Sequence, residues 1–105
     1  MPVIVVAHLG DGNVHFIPLA SFAQWQAFDD AEAVSHRVKR AVNEVAHALG
    51  GTFSAEHGIG QQLTQEMTLF KPKVEVDVMR GIKRLLDPHD LFNPGRLLPP
   101  PMTPQ

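Results

Sequence analysis

The chain opens with an uninterrupted apolar run over residues 3–7, Val-Ile-Val-Val-Ala, which predicts a β-strand buried on both faces. A second run over residues 14–17, Val-His-Phe-Ile, predicts another strand, which Pro18 ends. Gly-Asp-Gly-Asn lies between the two runs. An Asp-Gly pair in that setting favours a two-residue type I′ turn, because both central residues of this turn need positive φ. The first eighteen residues are therefore predicted to form a β-hairpin.

Apolar residues then recur at helical spacing over the middle of the chain. Asp29 followed by Glu32 matches a capping box and predicts that a helix begins there. The apolar positions that follow form one stripe along an amphipathic helix: Val34, Val38, Ala41, Val42, Val45 and Leu49. Gly50 and Gly51 are predicted to end this helix.

Two more helices are predicted over residues 61–70 and 73–86, because each stretch ends at a proline-containing pair. Residues 19–28 are an aromatic-rich connection or helix, and residues 52–55 are a candidate third strand. We therefore expect an α+β fold in which an antiparallel sheet carries helices on one face. So small a sheet leaves apolar surface uncovered and predicts self-association into a homo-oligomer. The proline-rich tail over residues 99–105 is expected to be extended or disordered.

Composition narrows the classes of function. A length of 105 residues suits one domain, and a formal net charge of -2 provides no electrostatic footprint for nucleic acid. The chain has no cysteine, so a metal site must use histidine and carboxylate ligands. Its opening apolar run is too short to span a membrane and has no basic leader, which predicts a soluble, cytoplasmic protein. The abrupt start of this run suggests a piece of something longer.

Two histidines flank the predicted hairpin tip. With Asp11 and Gly12 as the loop residues, His8 lies directly opposite His15, and both rings share one face of the sheet. Their Cβ atoms would be roughly 4.5 to 5.5 Å apart, close enough for both imidazoles to bind one divalent ion. From the pattern alone, a pair of ordinary half-buried histidines is the more frequent outcome. A phosphate-binding turn is a third interpretation, although Gly-Asp-Gly-Asn matches neither of the common glycine-rich phosphate motifs.

Glu56 is the best candidate for a third ligand, since it lies in the glycine-flanked segment SAEHGIG over residues 54–60. The adjacent His57 is a candidate general base, because imidazole titrates near neutrality. In a regular strand these two side chains point to opposite faces, so one site can use both only if the chain bends or the substrate lies between them. Three further histidines are assigned no chemistry: His36, His47 and His89.

Three segments taken together, HLGDGNVH at 8–15, SAEHGIG at 54–60 and LFNPGRLL at 91–98, resemble the C-terminal end of FAD-linked oxidases. This family includes glycolate oxidase, D-lactate dehydrogenase and D-2-hydroxyglutarate dehydrogenase. The resemblance implies that residues 1–98 are the substrate and metal part of a ferredoxin-like domain. It also implies the site residues: His8, His15 and Glu56 as ligands of a divalent metal, commonly zinc, His57 as catalytic base, and Asn13 and Asn93 lining the flavin or substrate pocket.

The resemblance implies oxidation of a D-2-hydroxy acid to the 2-oxo acid. In that reaction the metal binds the 2-hydroxyl group and a carboxylate oxygen of the substrate, His57 takes the hydroxyl proton, and FAD receives the α-hydride. The chain departs from the family in two ways. Ile17 stands where hydroxyglutarate-type members are expected to have a polar Asn, which disfavours a dicarboxylate substrate. The FAD-binding domain and its carboxylate-binding Arg and Lys are missing, so the chain alone is expected to be inactive.

Two other interpretations stay open at this point. The chain could be a stand-alone metal-binding module that docks with a separate flavin subunit. It could also be a degenerate domain that holds no metal. Metal analysis together with flavin absorbance would separate these interpretations from an enzyme fragment.

Overall fold

The structure, a computed structural model, describes residues 1–101. The chain divides into two compact units, Met1–Glu56 and His57–Gln105. Over the described residues the fold contains a two-stranded antiparallel sheet and four α-helices, which confirms the predicted α+β class. No helix in this part of the chain combines the length and the apolar character needed to cross a bilayer.

The first unit begins with the predicted hairpin, in which strand β1 (Val3–His8) is followed by strand β2 (Asn13–Pro18). The predicted two-residue turn is wrong. Leu9–Asp11 forms a 3₁₀ turn, and Gly12 follows it in the left-handed region with φ 68°. The Gly12 N–H donates to the Leu9 carbonyl at 3.2 Å. The loop therefore holds the four residues from Leu9 to Gly12, and glycine is needed at its end rather than at its centre.

The longer loop changes the strand register. His8 lies opposite Asn13, and His15 lies opposite Val6, so the predicted direct pairing of the two histidines is wrong. The partner of His8 moves by two residues relative to the prediction, from position 15 to position 13. Because side chains alternate with a period of two, a shift of this size leaves both histidines on the same face of the sheet.

Two helices complete the first unit. Helix α1 (Phe22–Ala27) begins at a capping box formed by Ser21 and Gln24. Helix α2 (Ala31–Ala48) is capped by Asp30, whose carboxylate accepts from the Ala33 N–H at 3.0 Å.

The prediction that Asp29 and Glu32 form the capping box is therefore wrong by one residue. With Asp30 as the cap, Glu32 lies in the first turn, where its charge favours the helix through the helix dipole. The glycine end of α2 is as predicted. Gly50 has φ 79°, and the Gly51 N–H donates to the Ala46 carbonyl at 2.8 Å, which is a Schellman arrangement.

The segment after α2 contains no strand over residues 52–55, so the candidate third strand is wrong. The Ser54 N–H donates to the Thr52 hydroxyl at 3.3 Å. A local bond of this kind competes with a strand ladder for the backbone donor. The chain instead bends over residues 55–57.

The second unit is built on helices α3 (Thr64–Phe70) and α4 (Lys73–Leu86). The bounds of α4 match the prediction, whereas α3 begins three residues later than predicted, at position 64 instead of 61. Met67 on α3 is 2% exposed and Val76 on α4 is 7% exposed, so the small apolar core of this unit lies on these two helices.

The end of α4 is held by the buried carboxylate of Asp87. This carboxylate accepts from the N–H groups of Leu91 and Phe92, both at 2.9 Å, and pairs with the Lys83 ammonium one turn earlier. The Lys83 hydrogen bond, with help from the two amides, lowers the pKa of Asp87 from 3.8 to about 2. Asp87 therefore links the last turn of α4 to the chain that follows it.

The lowered pKa of Asp87 predicts how the stability of the fold changes at acidic pH. Since the pKa of Asp87 is lowered on folding, its contribution is complete above the unfolded pKa of 3.8 and is lost as pH falls toward about 2. We expect Asp87→Asn to reduce the loss of thermal stability between these two pH values. Circular dichroism melts across the acid range would measure this loss. Asp77→Asn on the exposed side of α4 is the matched control, and equal pH dependence of the two variants would contradict the prediction.

The described part of the tail contacts α4. Pro99 is buried, and its carbonyl accepts from Arg80 Nη1 at 2.9 Å. Residues 102–105 lie outside the described residues, so the extended or disordered tail over residues 99–105 stays a prediction.

Candidate metal centre

Two strand residues and one loop residue bring their side chains together in the first unit. His8 ends β1, His15 lies in β2, and both are on the same face of the hairpin. Glu56 lies at the bend after α2, with Oε1 3.3 Å from His8 Nε2 and Oε2 3.1 Å from His15 Nε2. One ligand atom from each of the three side chains lies within 4.8 Å of the other two. The structure thus brings together the three residues that the sequence suggests as metal ligands.

This donor set fits a divalent ion such as zinc. Imidazole nitrogens and carboxylate oxygens bind zinc at about 2.1 Å, which places neighbouring ligand atoms of a tetrahedron about 3.4 Å apart. The two nitrogen-to-oxygen distances to Glu56, 3.3 and 3.1 Å, are close to that spacing. The His8 side chain is 60% exposed, so a ligand can approach from solvent on that side. The same distances are also hydrogen-bond lengths, so only metal binding itself separates a preformed site from a simple ion pair.

Asn13 holds the carboxylate of Glu56 in place. Its amide Nδ2 donates to Glu56 Oε1 at 2.6 Å, and the residue is only 8% exposed. The alternation of side chains along β2 places Asn13 on the same face as His15, two residues further on. This contact with Glu56 was not predicted, since the resemblance suggested Asn13 as a residue lining the flavin or substrate pocket. The period-two pattern from Asn13 to His15 was the signal available in the sequence.

The other two candidate residues, His57 and Asn93, lie in the second unit. His57 follows Glu56 directly in the chain, and the bend over residues 55–57 removes the regular strand geometry that would point the two side chains to opposite faces. Asn93 begins a turn with φ 48°, and its carbonyl accepts from the Arg96 N–H at 3.3 Å. The roles of His57 as base and of Asn93 in lining a pocket stay predictions.

One backbone contact joins two of the motif segments within the second unit. The Leu97 N–H donates to the Gly60 carbonyl at 2.8 Å, which ties the end of SAEHGIG to LFNPGRLL. Leu97 adopts φ 67°, a conformation that costs energy for a bulky side chain. No local pattern in the sequence signals this contact, because it depends on how the intervening helices fold.

Comparison with known proteins extends these observations. The model of the family described as FAD linked oxidases, C-terminal domain, matches residues 1–97. Similar proteins include D-2-hydroxyglutarate dehydrogenase from Xanthomonas citri pv. viticola, which is 39% identical over 95 residues. The mitochondrial D-lactate dehydrogenase [cytochrome] of Arabidopsis thaliana is 33% identical over 99 residues, and glycolate oxidase subunit GlcD of Escherichia coli is 33% identical over 94 residues. No solved structure matches the chain with significance.

These alignments cover 90%, 91% and 90% of this chain but only 20%, 16% and 18% of the respective relatives. The chain thus spans about a fifth or less of the length of the curated relatives it matches. The family match includes the hairpin, Glu56 and nearly all of the third motif segment, LFNPGRLL. The chain belongs to the family of FAD linked oxidases, through their C-terminal domain.

Proposed function

We propose that this chain forms the substrate- and metal-binding part of a flavin-dependent dehydrogenase. Its substrate is a small D-2-hydroxy acid of the lactate or glycolate type, which is oxidised to the 2-oxo acid. The observation that carries this proposal is the convergence of His8, His15 and Glu56 in a family of FAD linked oxidases. The names of the relatives support the substrate class, since D-2-hydroxyglutarate, D-lactate and glycolate are all 2-hydroxy acids.

In this proposal the two imidazoles and the Glu56 carboxylate would hold a divalent ion such as zinc, and Asn13 orients that carboxylate through its short hydrogen bond. When bound, the ion supplies a Lewis acid for the substrate oxygens, and FAD supplies the hydride acceptor. The oriented carboxylate keeps the ligand set in one geometry before substrate arrives, because second-shell hydrogen bonds limit the motion of ligands. The exposed side of His8 admits the substrate.

Two further side chains complete the proposed chemistry. His57 takes the proton of the 2-hydroxyl group, a step for which a neutral imidazole is suited near pH 7. Ile17 follows His15 by two residues on the same face of β2 and is 43% exposed. An apolar side chain there provides no hydrogen bond for a second carboxylate, so we propose a monocarboxylic substrate. Asn13 and Asn93 stay candidates for residues that line the flavin or substrate pocket.

A second candidate function is a stand-alone metal-binding module that docks with a separate flavin subunit. The exposed apolar side chains of the hairpin favour this alternative, because they require a covering partner. In either case the isolated chain is expected to lack turnover, since it spans a fifth or less of the relatives' length. A cytoplasmic location is part of the proposal as well.

A chimeric enzyme would test the proposed function. We expect the Xanthomonas dehydrogenase to remain active when its matching 95 residues are replaced by the aligned part of this chain. The chimera should oxidise D-lactate in preference to D-2-hydroxyglutarate. Metal removal with a chelator should lower the rate by roughly a hundredfold, since Lewis-acid assistance is worth several kcal/mol, and added zinc should restore it.

The parent dehydrogenase treated in the same way is the control for the chelator. A folded chimera that binds FAD but oxidises no 2-hydroxy acid would contradict the substrate class. A chimera that keeps its full rate after complete removal of metal would contradict the proposed role of the ion.

A further inference from the structure

The first unit contains a cavity of about 750 Å³ that is bounded by β2, α1 and α2. This volume falls within the usual range of ligand pockets, roughly 300 to 1,000 Å³. Native interiors are close-packed and rarely contain voids of this size. The lining includes five of the seven aromatic residues of the chain: Phe16, Phe22, Trp25, Phe28 and Phe53. Such a lining suits an aromatic ligand, because aromatic rings pack edge to face or offset against one another.

The α2 wall of this cavity carries a row of polar side chains. Ser35, Lys39 and Asn43 all line the cavity and follow one another at intervals of four residues. Side chains at this spacing lie one above the other on the same face of a helix. An apolar row with the same spacing also lines the cavity: Val34, Val38 and Val42. The wall therefore offers hydrogen-bonding groups beside an apolar surface.

Asn43 brings an unpaired donor into the cavity lining. The residue is 8% exposed, and its amide Nδ2 is buried without a hydrogen-bond partner among residues 1–101. No other buried side-chain nitrogen or oxygen in this part of the chain lacks a partner. A buried donor without an acceptor costs free energy, so native proteins rarely retain one. A bound carbonyl or carboxylate oxygen would satisfy this group.

Lys39 lies one turn before Asn43 and provides a positive charge for such an oxygen. The other three lysines of the chain, Lys71, Lys73 and Lys83, each pair with a carboxylate one helical turn away. Lys39 forms no ion pair within the described residues. Hydrogen bonds from an ammonium group to a carboxylate are stronger than those between neutral groups. An ammonium and an amide on neighbouring turns of one helix are therefore suited to hold one carboxylate.

The cavity is distinct from the candidate metal centre. Val14, Phe16 and Pro18 line it, and the alternation of β2 places these side chains on the face opposite to that of His15. His15 also borders the cavity, while its Nε2 contacts Glu56 at 3.1 Å. The aromatic residues and the polar row of α2 are not among the three candidate metal ligands.

We propose that this cavity binds a small aromatic carboxylate. The ring of the ligand lies among the aromatic side chains of β2 and α1, and its carboxylate accepts from Asn43 Nδ2 and from the Lys39 ammonium. A backbone carbonyl of another polypeptide segment would satisfy Asn43 but would leave the charge of Lys39 unpaired, whereas one carboxylate satisfies both. This site goes beyond the proposed oxidation of a 2-hydroxy acid and requires neither metal nor flavin.

The fluorescence of Trp25 provides a direct test, because Trp25 is the single tryptophan of the chain and lines the cavity. The probe is biphenylacetate, and the matched control is biphenylethanol, which has the same rings but no charge. We expect biphenylacetate to change the fluorescence saturably with a Kd below about 1 mM. The alcohol should bind at least about tenfold more weakly, since it loses the charge-assisted hydrogen bonds.

Asn43→Leu separates a binding role of Asn43 from a structural one. Leucine has a similar volume but no donor, so biphenylacetate should bind at least about tenfold more weakly. The thermal midpoint of the free chain should rise, because an unpaired buried donor is removed and leucine favours a helix more than asparagine does. Circular dichroism melts would measure this change. A residue that only supported the fold would lose stability on the same substitution.

Lys39→Gln tests the charged donor at an exposed position, where the substitution should not disturb folding. We expect biphenylacetate to bind about threefold more weakly and biphenylethanol to bind as before, because an exposed ion pair contributes modestly. Arg40→Gln is the matched control. It removes the same charge from the next residue of α2, which does not line the cavity, and should keep affinity within about twofold.

Five results would overturn the inference. They are no saturable binding, equal affinity for the acid and the alcohol, unchanged affinity in both Asn43→Leu and Lys39→Gln, loss of binding in His8→Ala, or binding to this chain but not to the folded chimera described above. Loss of binding in His8→Ala would place the probe at the candidate metal centre instead. Equilibrium dialysis would measure binding to the chimera, and a negative result there would identify a polypeptide segment as the occupant of the cavity. If His8→Ala binds the probe but no zinc, the cavity proposal stands whether or not the proposed function is right.

Discussion

Replacing His15 with alanine should weaken zinc binding to this chain by at least about a hundredfold. His15 provides one of three donor atoms that lie within 4.8 Å of one another, and it contacts Glu56 at 3.1 Å. Loss of an outer-shell partner of a metal ligand already costs roughly ten- to a hundredfold in affinity, and loss of the ligand itself removes a direct bond. Competition between the protein and a zinc-sensitive dye would measure the change in Kd.

The matched control is His36→Ala on α2. The His36 side chain is 71% exposed and lies 3.9 Å from Glu32, away from the candidate ligands, so this change should leave zinc affinity within about twofold of wild type. Circular dichroism of both variants would verify that the helices are retained. Equal zinc affinity for the wild type and both variants would refute the metal centre. Glu56 would then only form ion pairs with the two histidines of the hairpin.

The second large effect is expected at His57. In the active chimera, His57→Asn should lower kcat for D-lactate by roughly 10² to 10⁴, the usual contribution of a general base, with a much smaller change in KM. Asparagine has a similar shape to the imidazole but cannot accept the hydroxyl proton at neutral pH. Steady-state kinetics together with zinc analysis would measure the effect.

Zinc content separates a base from a residue that only supports the ligands. A general base can be removed without loss of metal, whereas a change that displaces the neighbouring Glu56 should lower both zinc content and activity. His89→Asn, at an exposed position in the turn after α4, is the matched control and should keep kcat within about twofold. If His57→Asn retained more than half of the wild-type kcat, another residue would have to take the proton.

Several parts of the fold could be predicted because they depend on local chemistry. The bounds of α4 follow from the two prolines that flank it, Pro72 and Pro88, since neither allows the helix to continue through it. The end of α2 follows from Gly50, whose φ of 79° favours glycine. The start of α2 was misplaced by one residue because Asp29 and Asp30 carry the same capping group, and local sequence does not distinguish them.

The hairpin shows where local chemistry stops being sufficient. A two-residue loop and a four-residue loop both place Gly12 at positive φ, so the glycine predicts the turn but not its length. The two loops differ by two residues in register, and that difference preserves the face on which His8 and His15 lie. The prediction that the two histidines share one face was therefore correct, although their predicted direct opposition was wrong.

The sequence by itself determined which side chains are candidate metal ligands, where α2 and α4 end, and that the two histidines share one face of the hairpin. Only the tertiary structure decided that Glu56 reaches His15 across a separation of 41 residues and that Asn13 holds its carboxylate. The reason is physical. Turns, caps and side-chain alternation are set by neighbouring residues, whereas the path of the chain from α2 to Glu56 depends on packing between segments that are distant in sequence.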